Sequence, residues 1–144
     1  MKFLVIGETC SDRFCYGEAK RLCPEAPVPV FTPEYTENNL GMAHNVYGNM
    51  LAIDEEIHKT RYIDRQSNQM FLRVDTDTYP FCCGLPDNIE EYDAVVVSDY
   101  DKGFLQSRDL KEIASRSKLS FLDTKRAYNR DWANLFSFIK INEK

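Results

Sequence analysis

The second half of the chain alternates short apolar runs with segments of helical period. Asp93-Ala-Val-Val-Val97 is followed by a helix-period segment over residues 110–115, then by an apolar run over 119–122. A turn or short helix around Arg130-Asp-Trp132 leads to a last run over 136–141. Strand, helix, strand, helix, strand of this length implies parallel pairing with right-handed crossovers. Phe3-Leu-Val-Ile6, closed by Gly7, is another continuous apolar run of the kind buried on both faces of a parallel sheet. The sequence therefore predicts an α/β fold with central parallel strands near 3–6, 94–97, 119–122 and 136–141.

The first half is built differently. Residues 13–16 and 28–35 read as strands, and RLCPEAPVPVF (residues 21–31) sets three prolines among strand-forming residues. Proline donates no hydrogen bond to a ladder, so such a strand belongs on a sheet edge. Ala43, Val46, Tyr47, Met50 and Leu51 follow i, i+3, i+4, i+7, i+8, which predicts a helix over 40–53. Residues 57–63 and 70–74 read as a strand pair. Trp132 is expected to pack the last crossover against the sheet.

Composition narrows the function classes. The 144 residues are 43% hydrophobic and 28% charged, enough for one domain with a real core. A net charge of -5 without a Lys/Arg block argues against nucleic acid as a partner. The apolar runs are far shorter than the roughly 20 residues that span a bilayer, and MKFLVIGET carries no signal-peptide pattern. The five cysteines show no metal spacing and read as plain thiols rather than a Cys82-Cys83 redox pair. His44 and His58 are isolated, and no metal site is expected. A cytoplasmic location fits these features.

Open α/β sheets bind ligands beyond the carboxyl ends of their strands. Four runs here end in polar groups: Gly7-Glu8 with Asp12 behind it, Ser98-Asp-Tyr-Asp-Lys-Gly103, Asp123-Thr-Lys125-Arg126, and Lys140-Ile-Asn142. Carboxylates mixed with cations at one rim suit a phosphorylated, hydroxyl-rich ligand. The six glycines form no GxG, GxxxxGK or Gly-Ala-Gly segment, so no backbone cradle for transferring phosphates is expected.

Six segments, in order, resemble one family: VIGETCSDRFCYGE, RLCPEAPVPVF, NLGMAHNVYGNM, KTRYIDRQSNQMFLRVD, VVVSDYDKGFL and FLDTKRAYNRDWANLFSFIKIN. They resemble the first half of the heptose 7-phosphate kinase domain of bifunctional heptose kinase/adenylyltransferases, within the ribokinase-like (PfkB-type) carbohydrate kinases. The resemblance implies a reduced three-layer sandwich, one truncated domain over 1–144, with a small β lid projecting over residues 13–38 and joining two subunits into a dimer. It implies ATP-dependent phosphoryl transfer to a sugar phosphate with Mg²⁺. Asp12 would bind sugar hydroxyls, and Gly41 and Asn45 would form the sugar loop. Arg65, Gln69 and Arg73 would line the substrate, with Asp99 and Lys102 in the SDYxKG turn. Lys125 and Asn142 would lie near nucleotide phosphates.

The departures are also specific. Glu8 replaces an Asp, Met42 a second glycine, and Thr124 and Arg126 a Pro and a Gly. Several elements expected between Ile53 and Ile57 are absent. Lys144 falls one residue before the Asn-x-x-Glu glutamate, and no residue matches the family's catalytic base. The implied unit is incomplete on its own; a continuation of the gene past Lys144 or a separate chain would supply the rest. A catalytically inactive sugar-phosphate binder, a lid-mediated assembly protein and a purely structural relative are the alternatives.

Overall fold

A computed structural model describes residues 1–43, 57–76 and 84–141, together with the backbone of 49–53. The expectations for Asn45, Asn142, His44 and the Cys82-Cys83 pair fall outside the described residues.

One strand organises the chain. Strand β1, Phe3–Leu22, runs 20 residues without a break, where the sequence suggested two separate strands. Its first part, Phe3 to Glu8, lies inside a parallel sheet; its second part, from Thr9 onward, enters another sheet. The parallel sheet has β3 (Asn49–Ile53) on one side of β1. On the other side come β6 (Ala94–Asp99), β7 (Ser120–Thr124) and β8 (Phe138–Ile141), every pairing parallel. This is the α/β sheet that the apolar runs predict.

Alternate residues of these strands, Leu4 and Ile6, Val95 and Val97, and Leu122, face one core. Helix α1, Ser107–Arg116, covers it with Leu110, Ile113 and Ala114, its N-terminus closed by a Gln106/Asp109 capping box. Helix α2, Arg130–Ala133, adds Trp132, which is 2% exposed and packs the last crossover as expected. The described helices thus lie against a single face. On the opposite face Phe121 and Phe138 stack with ring centres 4.9 Å apart, and Phe138 stays exposed.

The helix expected over 40–53 is not formed at either described end. Residues 40–42 continue strand β2 (Pro29–Met42), with Leu40 opposite Ser11 and Met42 opposite Thr9. Residues 49–53 pair with Leu4 to Glu8 instead. A short apolar run such as Asn49-Met-Leu-Ala-Ile53 suits a buried strand as well as a helix, and the open edge of β1 decides between them.

The second sheet contains the outer part of β1, β2, β4 (His58–Asp64) and β5 (Met70–Thr76). It therefore extends beyond residues 13–38, because the predicted strand pair of 57–63 and 70–74 joins it as β4 and β5. Among the described residues strand β2 pairs only with β1, an edge position that tolerates Pro29 and Pro33. Gly17 allows β2 to approach, since a Cβ there would lie 2.2 Å from the Thr32 carbonyl oxygen.

Candidate functional site

The two sheets meet where β1 passes from one into the other, and the polar groups gather at that junction. Glu8, 2% exposed, lies at the end of the parallel part of β1. Its carboxylate accepts the backbone N–H groups of Tyr100 (2.6 Å), Lys102 (2.7 Å) and Phe104 (3.3 Å). The Ser98-Asp-Tyr-Asp-Lys-Gly103 turn needs this anchor. Asp101 has φ 58° and Gly103 φ 98°, so its amides point inward toward one acceptor. Burial, and then the nearby charge of Asp99, push the Glu8 carboxyl above its ordinary value despite the three amides.

Asp99, 1% exposed, is held from the next strand. The Thr124 hydroxyl donates to it at 2.7 Å and the Arg126 Nε at 2.6 Å. Arg126 also donates to the Leu105 carbonyl and pairs with Asp101 at 3.4 Å. Burial alone would lower the pKa of Arg126, but the carboxylates of Asp99, Asp101 and Glu8 together raise it. The two departures in the lysine turn, Thr124 and Arg126, thus form one buried network that fixes the rim. In the sequence they stand out only as replacements. What could have found them is the two-residue spacing of Thr124 and Arg126 at a strand end, opposite an aspartate at the end of its neighbour.

Asp12 sits just beyond the crossing, on the part of β1 flanked by β2 and β4. Arg61 of β4 donates to it at 2.6 Å, each side chain being 23% exposed. Gly41 faces it from β2: a Cβ there would come within 2.6 Å of the Asp12 carboxylate and 2.8 Å of the Cys10 sulfur. The structure therefore brings Asp12 and Gly41 together. Next to Gly41, Met42 has φ 58° and is 5% exposed, packing with Cys10 and Ile57, and Tyr100 lies against this group. A non-glycine residue in that conformation costs about 1–2 kcal/mol, offset here by burying the thioether side chain. Burial pushes the Cys10 thiol up, although Lys59 Nζ lies 3.5 Å from its sulfur and acts in the opposite direction.

The remaining expected residues are more dispersed. Arg65 pairs with Glu34 at 3.2 Å, and Arg73 holds Asp75 through two bonds of 2.7 Å. Gln69 lies in the exposed turn between β4 and β5, its carbonyl accepting the Asp64 N–H. Lys102 gives its backbone N–H to Glu8. Lys125 follows β7, its ammonium 4.3 Å from the centre of the Tyr100 ring. Asp99 is buried and engaged by Thr124 and Arg126. Lys59, which stands directly opposite Asp12 in the β1–β4 ladder, and Arg61, two residues further on, carry no signal in the sequence that marks them for the site.

No family model matches the chain. Among curated relatives, the bifunctional protein HldE of Helicobacter pylori is 31% identical over 149 residues, covering 72% of this chain and 32% of the relative. HldE of Nitratiruptor is 28% identical, covering 90% of the chain and 37% of its own length. The D-beta-D-heptose 7-phosphate kinase of Bordetella bronchiseptica is 30% identical over 148 residues, covering 72% and 47% respectively. In backbone structure, the ribokinase of Thermotoga maritima matches 99% of the chain with TM-score 0.63 at 11% identity. The chain has a ribokinase-like fold. The Arabidopsis thaliana ribokinase complexed with ribose and ATP superposes with TM-score 0.61, also over 99% of the chain. The chain spans 32% to 47% of the three curated relatives' lengths and 59% to 60% of the two ribokinases.

Among the described residues no three His, Cys, Asp or Glu side chains form a group able to hold a metal. No described helix is long and apolar enough to cross a membrane.

Proposed function

We propose that this ribokinase-like chain is the sugar-binding part of a heptose 7-phosphate kinase-like unit. In this reading a sugar phosphate lies at the junction of the two sheets, with the β1–β2–β4–β5 sheet as its lid. The observation that carries the reading is Asp12 on the crossing strand, half-buried and facing Gly41, where even a methyl group would displace the carboxylate. A carboxylate held this way accepts two sugar hydroxyls with little reorganisation. The likeness to heptose kinases over most of the chain supports the choice of sugar.

Asn45, Arg65, Gln69, Arg73 and Lys102 are then candidates for the outer part of the same site. Asp99 serves it indirectly, by fixing the turn that carries Tyr100 and Lys102. ATP would be the phosphate donor, with Lys125 and Asn142 toward its phosphates. Magnesium would supply charge neutralisation at those phosphates when bound. The described carboxylates do not fit a metal: Asp99 is filled by Thr124 and Arg126, and Asp123 is paired with Lys140 at 3.0 Å. No step is assigned to the metal on this chain.

Calorimetric titration with heptose 7-phosphate tests the reading. The native chain is expected to bind it, and Asp12→Asn to weaken binding about tenfold or more, the effect of losing a charge-assisted pair of contacts. Equal affinity in the two proteins would remove Asp12 from the site, and no binding by the native chain would overturn the reading.

A second observation supports assembly through the lid. Val28, Pro29, Phe31, Tyr62, Phe71 and Leu72 border an apolar hollow of about 450 Å³ on that sheet. Val28, Leu72 and Val74 are each at least 41% exposed, the kind of patch that marks a protein interface. We infer that two copies join here.

A further inference from the structure

Charged groups around the sheet junction pair off in an orderly way, and two lysines are left over. Asp12 is matched by Arg61, Asp75 by Arg73, Asp99 by Arg126, and Asp123 by Lys140. Lys59 stands opposite Asp75 in the β4–β5 ladder, yet that carboxylate is already held by both Arg73 contacts. No carboxylate of the described residues forms an ion pair with Lys59 or Lys125. Both ammoniums approach the same ring instead: Lys59 Nζ lies 5.9 Å and Lys125 Nζ 4.3 Å from the centre of Tyr100.

These lysines come from different sheets. Lys59 is on β4 of the lid, and its other described contact is the Cys10 sulfur at 3.5 Å, a weak acceptor. Lys125 follows β7 of the parallel sheet, its backbone N–H bonded to the Asp99 carbonyl at 3.0 Å. Tyr100 lies within reach of both, its N–H held by Glu8 and its ring against Cys10, Met42 and Ile57. Beside it lies a small hollow of about 100 Å³ lined by Lys125 and Lys140 together with Asp99 and Asp123, whose carboxylates are held by Arg126 and Lys140. Two ammoniums reach one half-buried ring while the neighbouring carboxylates are paired with other cations, an arrangement able to take an anion.

We propose that Lys59 and Lys125 together bind a phosphate dianion at Tyr100, tying the lid to the parallel sheet. Resting on the function proposed above, this assigns the phosphorylated end of the substrate to two residues, of which Lys125 then serves the sugar phosphate rather than the nucleotide alone. Because the clamp draws on both sheets, bound phosphate holds the lid against the rim.

The test titrates the intact chain with inorganic phosphate, heptose 7-phosphate, the unphosphorylated heptose and Mg-ATP, followed by calorimetry and by ³¹P resonance shifts. The native chain is expected to bind inorganic phosphate, and Lys59→Gln and Lys125→Gln each to weaken it about tenfold, the loss of one charge-assisted contact. Lys59→Arg and Lys125→Arg are expected to retain most of the affinity, and circular dichroism checks that each variant is folded. No phosphate binding by the native chain, or binding unchanged in either glutamine variant, overturns the clamp. Variants that lose affinity for Mg-ATP but not for heptose 7-phosphate also overturn it. The two proposals separate in this design. If heptose 7-phosphate binds no better than phosphate while both variants weaken, the clamp stands and the sugar reading falls. If heptose 7-phosphate binds and neither variant matters, the reverse holds.

Discussion

Glu8 and Asp99 are two buried carboxyls whose charges face each other, and the fold has answered each differently. Asp99 has a guanidinium, so removing Arg126 would leave a buried charge without compensation. Arg126→Met is expected to destabilise the protein by about 3–5 kcal/mol in urea unfolding, and Asp99→Asn on the same background to recover part of it. A loss under 1 kcal/mol would mean the pair is not the anchor described. Glu8 has only amides, and its carboxyl is raised above the ordinary 4.5. A raised folded value gives stability that is full below the unfolded value and is lost as the pH climbs through the folded one. Glu8→Gln is expected to destabilise by about 1–3 kcal/mol, because its amide must turn N–H groups toward donors. That loss should be larger at pH 5 than at pH 8. A loss growing with pH would contradict the direction of the shift. Neither carboxyl's partner was legible in advance, since Glu8 and its three amides are more than ninety residues apart in the chain.

What was legible at the scale of elements followed from local pattern. Ala94–Asp99 and Ser120–Thr124 announced themselves as apolar runs between turn residues, and Leu110, Ile113 and Ala114 fell on one helical face. The prolines of β2 correctly implied an edge. Residues 40–53 misled because helical spacing and a short buried strand share the same apolar residues, and only the vacant edge of β1 chose between them. The continuity of β1 was hidden for a related reason: its composition changes from apolar to mixed at the point where its sheet changes. Of the candidate site, Asp12 and Gly41 were readable and meet in space, whereas Lys59, Arg61 and Arg126 depend on pairings across strands that no spacing encodes. The apolar face of the lid carries its own expectation. Val28→Asp combined with Leu72→Asp should convert dimers to monomers in light scattering, since each buried carboxylate would be unpaired across the interface. A native chain already monomeric would remove the basis for assembly through this sheet.

For the molecule as a whole, the decisive matter is what phosphoryl transfer demands beyond binding. The transferred group needs donors aimed at its developing charge and a residue to take the acceptor hydroxyl's proton. Within these 144 residues no paired glycines form a backbone cradle. Among the described residues, the inward-pointing amides of Tyr100, Lys102 and Phe104 are filled by Glu8. No acidic residue here matches the base that the resemblance to carbohydrate kinases implies. A missing anion hole costs roughly 3–4 kcal/mol of transition-state stabilisation and a missing base a further factor of about a hundred. Lys125 is exposed, and a lone exposed ammonium offsets little of that. The 144-residue chain by itself is therefore expected to bind heptose 7-phosphate without transferring phosphate to it at a useful rate. Coupled ADP release with heptose 7-phosphate and Mg-ATP, run beside Asp12→Ala, measures this directly. Turnover at the background rate in both proteins, with sugar-phosphate binding confined to the native one, is the expected result. Robust turnover by the native chain that disappears in Asp12→Ala would show that the sugar-binding sheets suffice for catalysis, and that the amides held by Glu8 are not needed for it.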